Sequence, residues 1–316
     1  MNDLIKAALY NHPEVIPFSV SLLPSVWLKY GDDLRALVRR HPVIFGGLAE
    51  RFNYETDTPK TYRAGRYADE WGCVWTNSQE GMESIVTEHP VKTREDIIKL
   101  QIPGCRDGRL PHGFMYLRVL DLRGFEEAMI DFAEEPPELQ VLLDKILAYN
   151  CIQIEAVLPG AGEMVVFGDD LGMQNGLAIG REKWLKYFYP CYKKMFGMVR
   201  QAGKLVYFHS DGCIHEIIPA LIECGVSMLN PQFRANGLDN IVRACKGKVA
   251  INLDLDRQLF PFASPAELKD HVREAVEAMY MPEGGLGISI EIDQAVPLAN
   301  IEALSDAAET YRLYKG

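Results

Sequence analysis

The fold is decided by residues 204–229, which have the sequence KLVYFHSDGCIHEIIPALIECGVSML. Lys204 to Phe208 is short and rich in β-branched and aromatic side chains, so it predicts a strand. Ile214 to Glu223 predicts a helix that stops at Gly225, and Val226 to Leu229 predicts a second strand. A strand, a helix and another strand of these lengths indicate a parallel βαβ unit.

The same alternation continues on both sides of this stretch. Further strands are predicted at Met164 to Gly168, Lys248 to Leu253, Leu286 to Ile290, Ile16 to Val20, Val43 to Gly47 and Phe114 to Val119. Helices are predicted at Glu138 to Leu158, Arg181 to Gln201, Leu238 to Cys245, from Ser264-Pro265-Ala266-Glu267 onward, and at Ile301 to Tyr314. Eight strands interleaved with helices favour an α/β protein, a single (β/α)8 TIM barrel domain over residues 1–316, with an N-terminal insertion between about 50 and 112.

The composition restricts the class of partner. The chain has 316 residues, of which 48% are apolar, and a net charge of −11, so it lacks the basic surface that nucleic acid or an anionic membrane attracts. No apolar run reaches the roughly 18 residues of a membrane span, and Met1 to Glu14 does not resemble a signal peptide. The seven cysteines are odd in number and form no disulfide framework. We therefore expect a cytoplasmic protein with reduced thiols and a small-molecule substrate.

Polar side chains lie at or just after the ends of five of the predicted strands, at the end where a barrel places its active site. These residues are Asp169 and Asp170, then His209, Asp211 and Cys213, then Asn230, Asn252 and Glu291. Asp169 and Asp170 are the predicted catalytic residues, although one of them could instead cap the helix that follows. Asn230 and Asn252 are the predicted substrate-binding residues, although short polar side chains also satisfy loop backbone.

A metal is the natural use of this combination of side chains. Zinc binds imidazole, carboxylate and thiolate, and a catalytic zinc keeps three protein ligands and one open position. His209, Asp211, Cys213 and Glu291 offer more ligands than zinc needs, and the sequence leaves open which of the last three bind it. Phosphate-binding glycine loops and the Gly-x-Ser-x-Gly hydrolase motif are absent.

Three segments carry a family resemblance. They are Asp69-Glu70-Trp71-Gly72-Cys73-Val74-Trp75, Phe167-Gly168-Asp169-Asp170-Leu171-Gly172, and Phe208-His209-Ser210-Asp211-Gly212-Cys213-Ile214 followed by Leu229-Asn230-Pro231. From about residue 10 onward the chain resembles the uroporphyrinogen decarboxylase superfamily, and within it the corrinoid-dependent methyltransferases of anaerobes. This resemblance implies a TIM barrel, one bound zinc, and a corrinoid, the cobalamin type of cofactor, carried by a partner protein.

The chain departs from that family in its metal motif. The methyltransferases have His-x-Cys on strand five, whereas here Asp211 stands in the cysteine position after His209, and Glu291 lies near the expected third ligand. Oxygen ligands leave zinc a stronger Lewis acid, suited to polarising an ether oxygen. We therefore expect an O-demethylase methyltransferase that moves a methyl group from a methoxylated, aromatic compound to the Co(I) corrinoid of its partner.

Three alternatives stay open at this point. A methylcobamide:thiol methyltransferase would share the fold and the metal. A metal-free uroporphyrinogen decarboxylase would need the Arg-Gln-Ala-Gly-Arg signature after strand one, but Leu22 to Trp27 contains no arginine, and Arg63-Ala64-Gly65-Arg66 lacks the glutamine. A binding subunit without catalysis would only dock the corrinoid protein.

Overall fold

The computed structural model describes all 316 residues, which form 16 α-helices and nine strands. The strands are β1 (Phe18–Leu22), β2 (Gly65–Ala68), β3 (Val74–Asn77), β4 (Ile85–Glu88), β5 (Met164–Gly168), β6 (Leu205–Ser210), β7 (Met228–Pro231), β8 (Ala250–Asp254) and β9 (Leu286–Ile292). The chain divides into two compact units. Unit 1 comprises residues 1–66, 76–85 and 232–316, and unit 2 comprises residues 67–75 and 86–231.

The helices lie mostly between the strands, as a βα repeat requires. In the first half of the chain they are α1 (Asp3–Ala8), α2 (Pro24–Arg40), α3 (Pro42–Phe45), α4 (Leu48–Arg51), α5 (Tyr54–Asp57), a 3₁₀ turn (Lys60–Tyr62), α6 (Arg94–Lys99), α7 (Tyr116–Arg123), α8 (Phe125–Glu134) and α9 (Pro137–Val157). In the second half they are α10 (Gly180–Tyr187), α11 (Tyr189–Gln201), α12 (Ile218–Cys224), α13 (Phe233–Asn236), α14 (Leu238–Cys245), α15 (Pro265–Met279) and α16 (Leu298–Tyr311). None of them has the length and apolarity that crossing a membrane needs.

Unit 1 contains three parallel strands with β9 in the middle. Val20 on β1 lies opposite Ile290, and Asn252 on β8 lies opposite Gly287. All five residues of β8 are buried, as is typical of a parallel strand covered on both faces. Helix α15 starts with the predicted signal, because Ser264 and Glu267 form a reciprocal capping box.

Unit 2 contains the parallel strands β5, β6 and β7. Gly168 lies opposite His209, and His209 lies opposite Asn230. Phe167 and Phe208 both pack on Phe196 of α11, with ring centroids 5.0 and 5.5 Å away, so they face the helices. Because side chains alternate along a strand, Gly168 and His209 lie on the opposite face, and this face carries the site described below.

The prediction of an α/β protein with parallel strands is confirmed, but the parallel strands number six and not eight. Val43 to Gly47 is wrong as a strand, because Pro42 starts the short helix α3 and Gly46, at φ 55°, ends it. Phe114 to Val119 is also wrong as a strand, because it leads into α7. The periodicity of a short apolar run does not distinguish a strand from a helix. The predicted insertion holds β2, β3 and β4, which form a small sheet in that order.

Candidate metal and active site

Two histidines and a carboxylate meet beside the end of β5 in unit 2. The ligand atoms of His112, Asp170 and His209 all lie within 4.8 Å of one another. His112 Nε2 lies 2.9 Å from Asp170 Oδ2, and His209 Nε2 lies 3.6 Å from Asp170 Oδ1. His112 is exposed and the other two are half-buried, so a small molecule can reach the cluster.

The orientation of His209 is set by the neighbouring strand β7. Its Nδ1 lies 2.7 Å from Asn230 Oδ1, and because an amide oxygen only accepts, Nδ1 donates and the second nitrogen, Nε2, faces the carboxylates. Asp211 Oδ1 lies 3.2 Å from this Nε2. Burial alone lowers the pKa of His209, but the carboxylates of Asp211 and Asp170 outweigh it, so the pKa is raised. The environment of Nε2 therefore favours a bound cation, either a proton or a metal ion.

Asp170 is held in place by the loop that follows β6. The Asp211 N–H donates to its Oδ1 over 2.9 Å. The two loops touch because Gly212, at φ +80°, has no side chain: a Cβ there would lie 2.0 Å from the Gly172 carbonyl oxygen. Burial raises the pKa of Asp170, but the hydrogen bond from His112 and the nearby histidine charges lower it by a larger amount, so the net shift is downward. Asp170 is therefore a carboxylate at neutral pH.

His112, which sequence reasoning missed, comes from the irregular segment before α7. A Cβ at Gly168 would lie 2.5 Å from His112 Nδ1, so the imidazole occupies space that a glycine leaves open. The Gly113 N–H donates to the Gly168 carbonyl over 2.8 Å and fixes the segment against β5. The available signal was a histidine in Pro111-His112-Gly113, a turn sequence without any spacing that relates it to position 170 or 209.

Asp169, although adjacent to Asp170, is fully buried and lies outside the cluster. Its oxygens accept the backbone N–H groups of Met115, Tyr116 and Leu117, as well as the Tyr192 hydroxyl. Burial raises its pKa, against the lowering effect of these donors. Asp169 thus accepts the first N–H groups of α7, a helix that precedes β5 in the chain, and not those of the following helix, which the sequence suggested that it could cap.

Two further predicted metal ligands lie in unit 2. Asp211 lies next to the cluster, whereas the Cys213 side chain is directed away from it. The Cys213 sulfur lies 3.2 Å from His215 Nδ1. Cys213 is buried, and burial raises the pKa of its thiol, which disfavours the thiolate that a metal needs. Cys213 therefore does not join the His112, Asp170 and His209 group.

The two remaining predicted site residues lie in unit 1. Asn252 is buried on β8 with its side-chain oxygen against Gly287, where a Cβ would lie 2.8 Å away. Glu291 on β9 forms an ion pair with Arg257, whose Nη2 also lies 3.1 Å from Asp254 Oδ2. The Glu291 carboxylate is therefore already paired with a guanidinium, which it shares with Asp254.

The donor atoms of the cluster fit a zinc ion. Two imidazoles and one carboxylate form a common catalytic set that leaves a position open for water or substrate. The hydrogen bond from His209 to Asn230 is the kind of outer contact that fixes a metal-binding histidine. Iron(II) also accepts two histidines and one carboxylate, so the element itself has to be measured.

Comparison with known proteins gives the family. The model of the family described as Uroporphyrinogen decarboxylase (URO-D) matches residues 119–311, more than half of the chain. No curated protein matches the chain. Among solved structures, a methyltransferase from Methanosarcina mazei has a TM-score of 0.67 at 14% identity, covering 97% of each chain, and so shares the fold.

Two other solved structures overlap too partially to support an argument. A 3-keto-D-glucoside 4-epimerase from E. coli has a TM-score of 0.37 at 12% identity and covers 73% of this chain and 97% of its own. A Xanthomonas albilineans dihydropteroate synthase with 4-aminobenzoic acid has a TM-score of 0.30 at 18% identity and covers 43% and 52%. The family match includes β5 to β9 and most of the cluster described above. On this evidence the chain belongs to the uroporphyrinogen decarboxylase family.

Proposed function

We propose that this protein is a zinc-dependent methyltransferase that moves a methyl group from a methoxylated, aromatic compound to the Co(I) corrinoid of a partner protein. The observation that carries the proposal is the open group of His112, Asp170 and His209, whose ligand atoms lie within 4.8 Å of one another. Membership of the family and the fold shared with a methyltransferase from Methanosarcina mazei support it.

The proposed metal-binding residues are His112, Asp170 and His209. Asn230 holds His209 so that Nε2 is directed to the site, and the Asp211 N–H holds Asp170. When bound, zinc supplies a Lewis acid that polarises the ether oxygen and stabilises the phenolate that leaves. The absence of a thiolate from the cluster favours activation of an oxygen donor over activation of a thiol.

Asp211 has a separate proposed role beside the cluster. Its carboxylate is partly exposed and lies 3.2 Å from His209 Nε2, so it can accept a hydrogen bond from a water molecule beside the substrate-binding position. The departing phenolate oxygen needs a proton before the product dissociates into water as a phenol. Water that enters the open site can supply this proton, and the Asp211 carboxylate can orient that water by accepting a hydrogen bond from it.

The direct test mixes purified protein, reduced cobalamin and a panel of methoxyarenes, and follows loss of the Co(I) absorbance. We expect methylcobalamin and demethylated product with at least one donor, and one zinc per chain by elemental analysis. His209→Ala should abolish both, whereas His215→Ala is the matched control, because His215 contacts Cys213 outside the cluster. No methyl transfer with any donor, together with less than about 0.1 zinc per chain, would contradict the proposal.

The same preparation separates the alternatives. Release of carbon dioxide from uroporphyrinogen that a chelator does not inhibit would identify a metal-free decarboxylase. Methyl transfer from methylcobamide to a thiol, with no activity toward ethers, would identify a thiol methyltransferase. If a corrinoid protein binds the His209→Ala variant as tightly as it binds the wild type, and neither of the two transfers a methyl group, the protein is a binding subunit.

A further inference from the structure

Asp169 and Asp170 are consecutive in the chain but hold different parts of one segment. Asp170 accepts from His112 Nε2 over 2.9 Å, at the start of residues 112–117. Asp169 accepts the N–H groups of Met115 and Leu117, at the other end, over 3.2 and 2.9 Å. The end of β5 therefore holds both ends of the segment that carries His112.

The segment is also held by the Gly113 N–H bond to Gly168, by the Asn150 amide, which donates to the Phe114 carbonyl over 2.8 Å, and by the burial of Phe114 and Met115, but it lacks support from the chain on either side of it. Residues 101–111 before it contain no helix or strand. Helix α7 after it has no side-chain cap from its own N-cap residue, Met115. The first N–H groups of a helix have no partner within the helix, so an external carboxylate that accepts them is favourable for both charge and hydrogen bonding. Asp169 provides this carboxylate, and the Tyr192 hydroxyl of α11 donates to it.

We propose that Asp169 is a positioning residue for His112: by anchoring the start of α7 to the end of β5, it holds the His112 imidazole against Asp170. Asp169 is fully buried and therefore acts through the segment and not on substrate. The inference depends on the zinc proposal only for its metal-binding arm, and a metal-free arm tests it independently.

The metal-free arm uses protein labelled with 15N-histidine in the presence of a chelator. The chain has seven histidines, so the ring signals can be resolved, and His112→Gln assigns the His112 signal by its loss. In Asp169→Asn the amide keeps one acceptor but turns a donor toward the N–H groups that the carboxylate accepted. We expect the His112 signal to broaden or move toward that of a solvated imidazole, while the His215 signal stays in place.

The metal arm measures zinc affinity by competition with a chelator. We expect Asp169→Asn to weaken binding about 10- to 100-fold, as loss of an outer support of a metal ligand typically does. Asp169→Asn combined with His112→Gln should bind no more weakly than His112→Gln alone, because both changes remove the same contribution. Tyr192→Phe, which removes only one donor to Asp169, should give a smaller shift of the same His112 signal.

A matched control separates positioning from general loosening. Asp131→Asn also removes a buried carboxylate of unit 2, but Asp131 bonds to Arg94 of α6 and to Arg123 at the last residue of α7, the opposite end of that helix from the His112 segment. An unchanged His112 signal in folded Asp169→Asn would overturn the inference, as would an equal shift in Asp131→Asn. Should wild-type protein bind no zinc, the proposed function fails, and the histidine signals alone decide the role of Asp169.

Discussion

At the scale of single residues, Gly168 should be as important to the site as the side chains that form it. Gly168→Ala places a Cβ 2.5 Å from His112 Nδ1, a distance that forces the imidazole to move. Because the nearest atom belongs to a side chain, the fold should survive. We expect zinc affinity, measured by chelator competition, to fall about tenfold or more, comparable with loss of a support of a metal ligand.

The control for this change is Gly197→Ala in α11, where an added Cβ meets nothing within 4 Å. Alanine in a helix interior should stabilise the protein by about 0.5–1 kcal/mol and leave zinc affinity unchanged. Equal zinc affinity in Gly168→Ala and wild type would show that His112 is not a ligand.

The three residues of the cluster were not equally predictable from the sequence. His209 and Asp170 follow strands that the sequence predicts well, and parallel strands bring such ends to one edge of a sheet. His112 was missed because the predicted strand at Phe114 to Val119 placed it before a strand, at the opposite end from an active site. The structure instead has α7 there, and the segment before it turns back to β5.

At the scale of elements, Asp131 joins three helices of unit 2. It lies on α8 and is 1% exposed, and its oxygens lie 2.8 Å from Arg123 Nε of α7 and 2.8 Å from Arg94 Nε of α6. Removing the Asp131 charge leaves the buried Arg123 guanidinium with Glu127, whose side chain is half exposed, as its carboxylate partner. Asp131→Asn should therefore lower the free energy of unfolding by about 3–5 kcal/mol, measured by urea denaturation.

Helix α6 offers the exposed counterpart to this buried pair. Glu95 lies 2.8 Å from Lys99 one turn away, and both side chains are mostly exposed. Glu95→Gln should lower the free energy of unfolding by only about 0.2–0.5 kcal/mol. A similar cost for the two substitutions would show that the Asp131 pairs contribute no more than a surface pair.

The elements themselves were predictable where two signals agree. Met164 to Gly168 and Leu238 to Cys245 have the predicted bounds, and the capping signal at Ser264 correctly starts α15. The predicted helix at Arg181 to Gln201 is two helices, which meet at Phe188, just before Pro190. Where only an apolar run was available, as at Val43 to Gly47, the prediction failed, because such a run suits a buried helix equally well.

At the scale of the whole molecule, unit 1 is built from both ends of the chain. β1 pairs with β9 through five residues, Phe18 to Leu22 against Ile288 to Ile292, and the two strands are almost the full sequence apart. The chain must close a very long loop before this pairing contributes any favourable contact. Removing residues 1–23 should therefore leave one edge of the buried strand β9 unpaired, with β8 as its remaining neighbour, and prevent folding, seen as loss of a cooperative thermal transition.

A milder change at the same position provides the comparison. Ser19→Ala keeps the backbone of β1 and removes only a side-chain contact to the Ile288 carbonyl at 3.5 Å. The free energy of unfolding of this variant should lie within about 1 kcal/mol of the wild-type value. A truncated protein that still unfolds cooperatively near the wild-type temperature would show that β1 is dispensable.

The pH dependence of stability should have a clear contribution from His271 in unit 1. His271 is buried, its Nε2 accepts the Asp256 N–H over 3.1 Å, and its ring lies edge-on to Phe233. Protonation would destroy that acceptor, and burial lowers the pKa of His271 despite the opposing charge of Asp256. The unfolded chain therefore takes up this proton first as pH falls, so stability is full above about pH 6.5 and is lost below it.

The variant His271→Gln removes this titration and keeps an acceptor of similar reach. Urea unfolding between about pH 5 and pH 7 should show a shallower decline than wild type, by at most about 1.4 kcal/mol per pH unit, the limit for one proton. His12→Gln, which changes an exposed histidine of the same unit, is the control substitution. Parallel curves for wild type and His271→Gln would mean that His271 has the same proton affinity in the folded and unfolded chains, and that its burial beside Phe233 does not exclude the charged form.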